Sequence, residues 1–137
     1  MGGVQTAAVD RGRAAVYLKK ADGFLRAAHK ALEAGEEDAA GLLAIHAAIS
    51  AADSLTVRHL GLRATGPNHL DVIRLVDRIP SGPHEEFKKQ LRTLLSRKNL
   101  IEYEDRLLPR GDAPQMVKVA GRVVHAARAS AAPSSSP

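Results

Sequence analysis

The chain contains no cysteine and no tryptophan, and its only rings besides histidine are two tyrosines and two phenylalanines. Without cysteine there is no disulfide framework, no thiolate metal site and no thiol nucleophile. With aromatics at 3% of 137 residues, rings neither dominate the core nor provide a stacking platform for single strands. No uninterrupted apolar run approaches the ~18 residues of a membrane span. The opening MGGVQTAAVDRGR lacks the apolar stretch of a signal peptide. There is no glycine-rich phosphate loop, no HExxH and no GxSxG. Six histidines are present, but no two stand at i, i+4 on one helix. Neither a metal site nor a cofactor is therefore expected, and the chain reads as cytoplasmic, with no membrane partner.

What is present is alanine, leucine and charge. The apolar share is 45% and the formal net charge is +5, which allows a polyanionic partner. Helical periodicity dominates, and no segment reads as a strand. Residues 1–9 read as a flexible arm, 10–130 as one helical domain, and 131–137, AAPSSSP, as a disordered tail.

Five helices are expected. The first covers about 10–34, with Tyr17, Ala21, Phe24, Ala28 and Leu32 on one stripe and Gly35 as its stop. The second covers about 37–60. It opens on acidic residues, carries Leu42, Ile45, Ile49 and Thr56 on one face, and ends at Gly61. A short third helix, about 69–79, has Asn68 as its cap and Pro80 as its stop. The fourth runs from Pro83 to about 108. The fifth starts at DAPQ, where Asp112 and Gln115 resemble a capping box, and buries Met116, Val119, Ala120, Val123 and Ala127. Short connections predict an all-α, up-and-down helical bundle.

Two clusters stand out against this pattern. In the second helix His46, Ile49 and Asp53 lie at i, i+3, i+7, with Ser50 beside His46. His46 and Asp53 either satisfy neighbours in the core or belong to a site, because an isolated buried polar group needs a partner. In the fourth helix, SRKNLIEYED (96–105) follows the clean stripe of Phe87, Leu91, Leu94 and Leu95. Continuing that stripe brings Lys98, Ile101, Glu102 and Asp105 onto the core-facing side. Lys98 and Glu102 are i, i+4, and Asn99 and Tyr103 form a second such pair, flanked by Arg97. Three readings are open for this cluster: a solvated helix end, an ion-pair network with Asp53, or a binding site.

The chain resembles the HEPN family (higher eukaryotes and prokaryotes nucleotide-binding). The resemblance lies in YLKKADGFLRAAHKALEAGEEDAAGLLAIHAAISAADSL (17–55), in RKNLIEY (97–103), and in length and helix order over about 10–130. It implies a helical bundle, commonly a homodimer, with a polar cleft between late helices of two subunits. Many members are metal-independent ribonucleases, often toxins, with an Arg followed after four to six residues by a His. Here Arg97 matches the Arg, Asn99 serves as a polar companion, and Tyr103 stands where the His belongs.

Tyrosine, with a reference pKa near 10, is a poor general base at neutral pH. The resemblance therefore implies nucleotide or RNA binding without efficient catalysis. Arg97 and Tyr103 take the catalytic positions, and Lys98, Asn99, Glu102, His46 and Asp53 line the ligand groove. A cognate antitoxin or nucleotidyltransferase-like protein is the implied partner, in a toxin–antitoxin or stress-response system. The alternatives are an active metal-independent ribonuclease and a non-catalytic structural or regulatory module.

Overall fold

A computed structural model of the chain describes residues 3–68, 70–80 and 85–131. His69, the expected helix start at Pro83 and the tail beyond Ala131 lie outside the described residues.

The helices are α1 (Ala14–Glu33), α2 (Glu37–Leu60), α3 (Asp71–Val76), α4 (Glu85–Leu95), α5 (Lys98–Tyr103) and α6 (Asp112–Ala131). A 3-10 turn, Arg11–Arg13, leads into α1, and the Asp10 carboxylate caps it by accepting from the Gly12 N–H at 2.8 Å. Two short strands, β1 (Thr6–Ala8) and β2 (Leu62–Ala64), pair antiparallel with Ala7 opposite Arg63. The ribbon continues one bond at each end, Val9 N–H to Gly61 C=O and Thr65 N–H to Gln5 C=O, both 2.9 Å. The sequence pattern predicts a flexible arm here instead. Three residues are too short to show alternation, so the pairing is invisible to periodicity.

α1 and α2 form an antiparallel hairpin turned at Gly35, whose φ of +77° suits a residue without a side chain. α1 buries Ala14, Ala21 and Ala28, a seven-residue spacing that lets α2 approach closely. α4 returns alongside α2, tied at its start to the end of α3 by Lys88 and Asp77. α6 runs parallel to α2. At one end the Leu108 N–H donates to Asp38 Oδ1 at 3.0 Å, and at the other His59 Nε2 meets Ser130 Oγ at 3.4 Å. The directions alternate, α1 up, α2 down, α4 up and α6 down, so the molecule is an all-α up-and-down bundle.

α2 and α6 point the same way, yet they touch along their length. In a square bundle such a diagonal pair stands apart. Ala40, Ala44, Ala47, Ala48 and Ala51 of α2 and Ala113, Ala120 and Ala127 of α6 are all buried, 0–1% exposed, so both helices bring small side chains to the core they share. Small side chains bring helix axes to about 8 Å, the short end of ordinary packing distances. α2 contacts every other helix and is fully buried from Ser50 through Val57. By length and composition it passes for a membrane span, but 78% of its apolar window is buried inside the fold, as in a core helix.

The expected fourth helix is two helices. Its last α4 turn tightens, with Arg97 N–H bonding Leu94 C=O at 3.1 Å, an i→i−3 bond. The Ser96 hydroxyl donates to Thr93 C=O at 2.7 Å, and the Thr93 hydroxyl to Lys89 C=O at 2.9 Å. Such side-chain bonds compete with the helix ladder and mark its end.

Candidate functional site

α5 carries the residues singled out in SRKNLIEYED, and it sits against the first half of α2. Gly41 makes this possible: a Cβ there would meet Leu108 Cδ1 at 2.8 Å and Ile101 Cδ1 at 3.1 Å. The loop after α5 is stapled to α2 by the Asp38–Leu108 bond described above.

The α4 stripe does continue through the break. Lys98 is only 7% exposed and its Nζ lies 2.5 Å from Glu102 Oε1, within α5. Ile101 is half-buried, while Asp105 is in solvent. An ammonium taken from water at this depth costs several kcal/mol unless paired, so the Glu102 carboxylate is what allows Lys98 to point inward.

His46 of α2 faces the same cluster. Burial is the main reason its pKa falls below the ordinary value; the Lys98 ammonium lowers it further and Glu102 pulls it back. At neutral pH the imidazole is therefore uncharged. Its ring also packs against Phe24 of α1, centroids 5.6 Å apart and planes tilted by 36°.

Arg97 turns the other way, toward the start of α6. Its Nη2 is 2.9 Å from Asp112 Oδ2. That oxygen accepts no aligned hydrogen bond, so the contact is an ion pair by distance alone. Asp112 is the first residue of α6, where a negative charge suits the helix dipole, and it does not act as the expected side-chain cap. Asn99 is exposed, and Tyr103 is exposed by 72%. Leu107, in the loop after α5, is 78% exposed.

Asp53 does not join this group. It lies two turns further along α2, 7% exposed, and the charges that act on it are Arg63 of β2 and Lys20 of α1. Burial raises its carboxyl from 3.8 to about 7, against the pull of those two cations. The structure thus unites His46, Lys98 and Glu102, leaves Asn99 and Tyr103 exposed on α5, pairs Arg97 with Asp112 at the start of α6, and gives Asp53 surroundings of its own. Arg63, Asn68 and Lys20 were missed from sequence. The available signal was Asp53 itself, a carboxylate on a fully buried stretch that requires cationic neighbours. Among the described residues no three His, Asp or Glu side chains converge as metal ligands.

The HEPN domain family model matches residues 14–130. This chain belongs to the HEPN family. Its fold is also that of TT1696 from Thermus thermophilus, known from a crystal structure. The two superpose with a TM-score of 0.70 at 20% identity, over 85% of this chain and 97% of that one. No curated protein matches the sequence. Membership accounts for the helix order of this HEPN chain, and within that order α5 is where RKNLIEY falls.

Proposed function

We propose that this HEPN protein binds RNA or nucleotides through the outer side of α5, without efficient cleavage. The observation that carries the reading is the break between α4 and α5. It separates a six-residue helix from the apolar stripe and leaves Arg97, Asn99 and Tyr103 at the surface while Lys98 is held beneath. Arg97, with 42% of its side chain exposed, has a competing anion in Asp112, and a phosphate exchanges with that carboxylate. Asn99 and Tyr103 supply hydrogen bonds. His46, the uncharged imidazole nearby, packs against Phe24 on the inner side, and the Tyr103 phenol is itself a poor base at neutral pH. Catalysis by Arg97 and Tyr103 is therefore inefficient in this reading. The exposed Tyr103 and Leu107 favour a contact with a second copy of the chain, and a toxin–antitoxin or stress-response setting follows from the family.

The test is fluorescence anisotropy with a labelled single-stranded RNA, alongside gel analysis of the same RNA in the presence of a chelator. Binding that is lost in Arg97→Ala and Asn99→Ala, with RNA intact after long incubation, supports the reading. Cleavage that disappears in Tyr103→Phe replaces it with the ribonuclease alternative.

The buried Lys98–Glu102 pair favours a second reading, a structural or regulatory module locked by ions. In that case RNA leaves the melting temperature unmoved and Arg97→Ala binds no less RNA than wild type.

A further inference from the structure

Asp53 opens onto a pocket that the α5 surface does not share. The pocket, about 90 Å³, is lined by Asp53, Arg63, Asn68, Ile49, Val72 and Ala64. Asp53 is only 7% exposed, and the charges of Arg63 and Lys20 act on its carboxyl. Arg63 is held in place by β-pairing with Ala7. Asn68 uses its side-chain oxygen to accept from the Leu70 N–H at 2.9 Å, which leaves its NH₂ group as a donor. The lining thus combines a carboxyl, a guanidinium and an amide NH₂ with the apolar side chains of Ile49, Val72 and Ala64.

A complementary ligand presents an N–H beside an oxygen acceptor. A zwitterion has both, but two full charges between Ile49 and Val72 lose more hydration than they regain. A neutral, planar amide edge does not. A wider trough of about 260 Å³ is lined by Val9 after β1, Arg13 of the 3-10 turn, and Val16, Tyr17 and Lys20 of α1. Lys20 belongs to both places: it lines the trough, 5.8 Å above the Tyr17 ring, and its charge reaches Asp53. Arg13 and Lys20 stand at i, i+7 with Tyr17 between them, two cations suited to phosphate and a ring face suited to sugar or base.

We propose that the Asp53 pocket is a nucleobase site. It takes the edge of an unstacked lactam base, uracil or guanine, whose N–H bonds Asp53 and whose carbonyl accepts from Arg63 and Asn68. The phosphate of that nucleotide lies along Arg13 and Lys20. Base recognition on a face remote from α5 gives the protein sequence preference, where α5 contributes phosphate contacts alone. The proposal rests on the reading of the protein as RNA-binding and deepens it. Free uridine tests it independently, because uridine carries no phosphate and needs nothing from α5.

The experiment follows amide and side-chain resonances of the full chain by NMR while uridine is added. The expected result is saturable shifts confined to residues around Asp53, Arg63 and Asn68, with a Kd in the range of about 1 mM. The analogue 3-methyluridine, which has lost the N–H donor, gives none. Arg63→Met, at a half-buried ribbon position, removes the uridine shifts while keeping the folded spectrum, and Arg97→Ala keeps them. Equal shifts with uridine and 3-methyluridine, or no shift up to about 10 mM, overturn the proposal and leave a pocket that holds water only. Loss of RNA binding in Arg97→Ala alongside intact uridine binding separates failure of one site from failure of the other.

Discussion

Replacing Asp53 by asparagine removes a buried ionisable group and keeps the shape of the side chain. In the folded protein the carboxyl titrates at about 7, against 3.8 for an ordinary aspartate. The folded state therefore holds a proton that the unfolded state has already released, and stability falls as pH rises from about 4 through about 7. The gap is about three pH units, and each unit corresponds to about 1.4 kcal/mol. Wild type thus loses up to about 4 kcal/mol of stability across that window through this one group. Other carboxylates and histidines titrate in the same range, so the quantity to measure is the difference between wild type and Asp53→Asn. Urea unfolding followed by circular dichroism, at steps from about pH 4 to about pH 8, supplies it. The expected difference is small at the acid end. It grows to about 2–4 kcal/mol in favour of asparagine at the alkaline end. A difference that stays constant across the range refutes the argument: Asp53 would then be ionised throughout, and the cations Arg63 and Lys20 would outweigh its burial.

Four further outcomes follow from the packing around α5 and along α2 and α6. Lys98→Met breaks the ion pair with Glu102 and costs about 2 kcal/mol in urea unfolding, less than a fully buried pair because Glu102 keeps some contact with water. The same substitution raises the pKa of His46, read from its imidazole protons by NMR, while Glu102→Gln lowers it; no movement in either variant removes the assigned coupling. Gly41→Val forces apart Leu108 and Ile101 and lowers stability by about 2–3 kcal/mol. Gly121→Ala, where a Cβ meets nothing within 4 Å, raises stability by about 0.5–1 kcal/mol in the same assay.

The long helices were legible because their signals are redundant. α1, α2 and α6 each combine a 3.6-residue apolar period with a stop or a charged first turn, and Gly35 and Gly61 end the first two where expected. The break between α4 and α5 was not legible as a break. Its cause is a pair of hydroxyl-to-carbonyl bonds and one shortened turn, after which the helical phase resumes almost in register. What showed was the consequence, charge at core-facing positions, and Lys98 does point inward as that phase requires. The partner of Asp53 was misjudged for a different reason. Spacing along α2 puts His46 and Asp53 on one stripe, but a stripe seven residues long spans about 10 Å, enough for its two ends to face different elements. His46 meets α5, and Asp53 meets β2. Periodicity reports a face and cannot say which neighbour covers each turn of it.

The parallel contact of α2 with α6 also bears on how the chain reaches this fold. The α1–α2 hairpin closes through a three-residue turn, a local event. The bonds that seat α6 join residues 70 and 71 positions apart, Asp38 with Leu108 and His59 with Ser130. Closing loops of that length is the slow, entropically costly part of assembly. Until α6 arrives, the face of α2 that it covers lies open to water. α2 thus takes its first cover from α1 by a local closure and the rest only when the far end of the chain arrives.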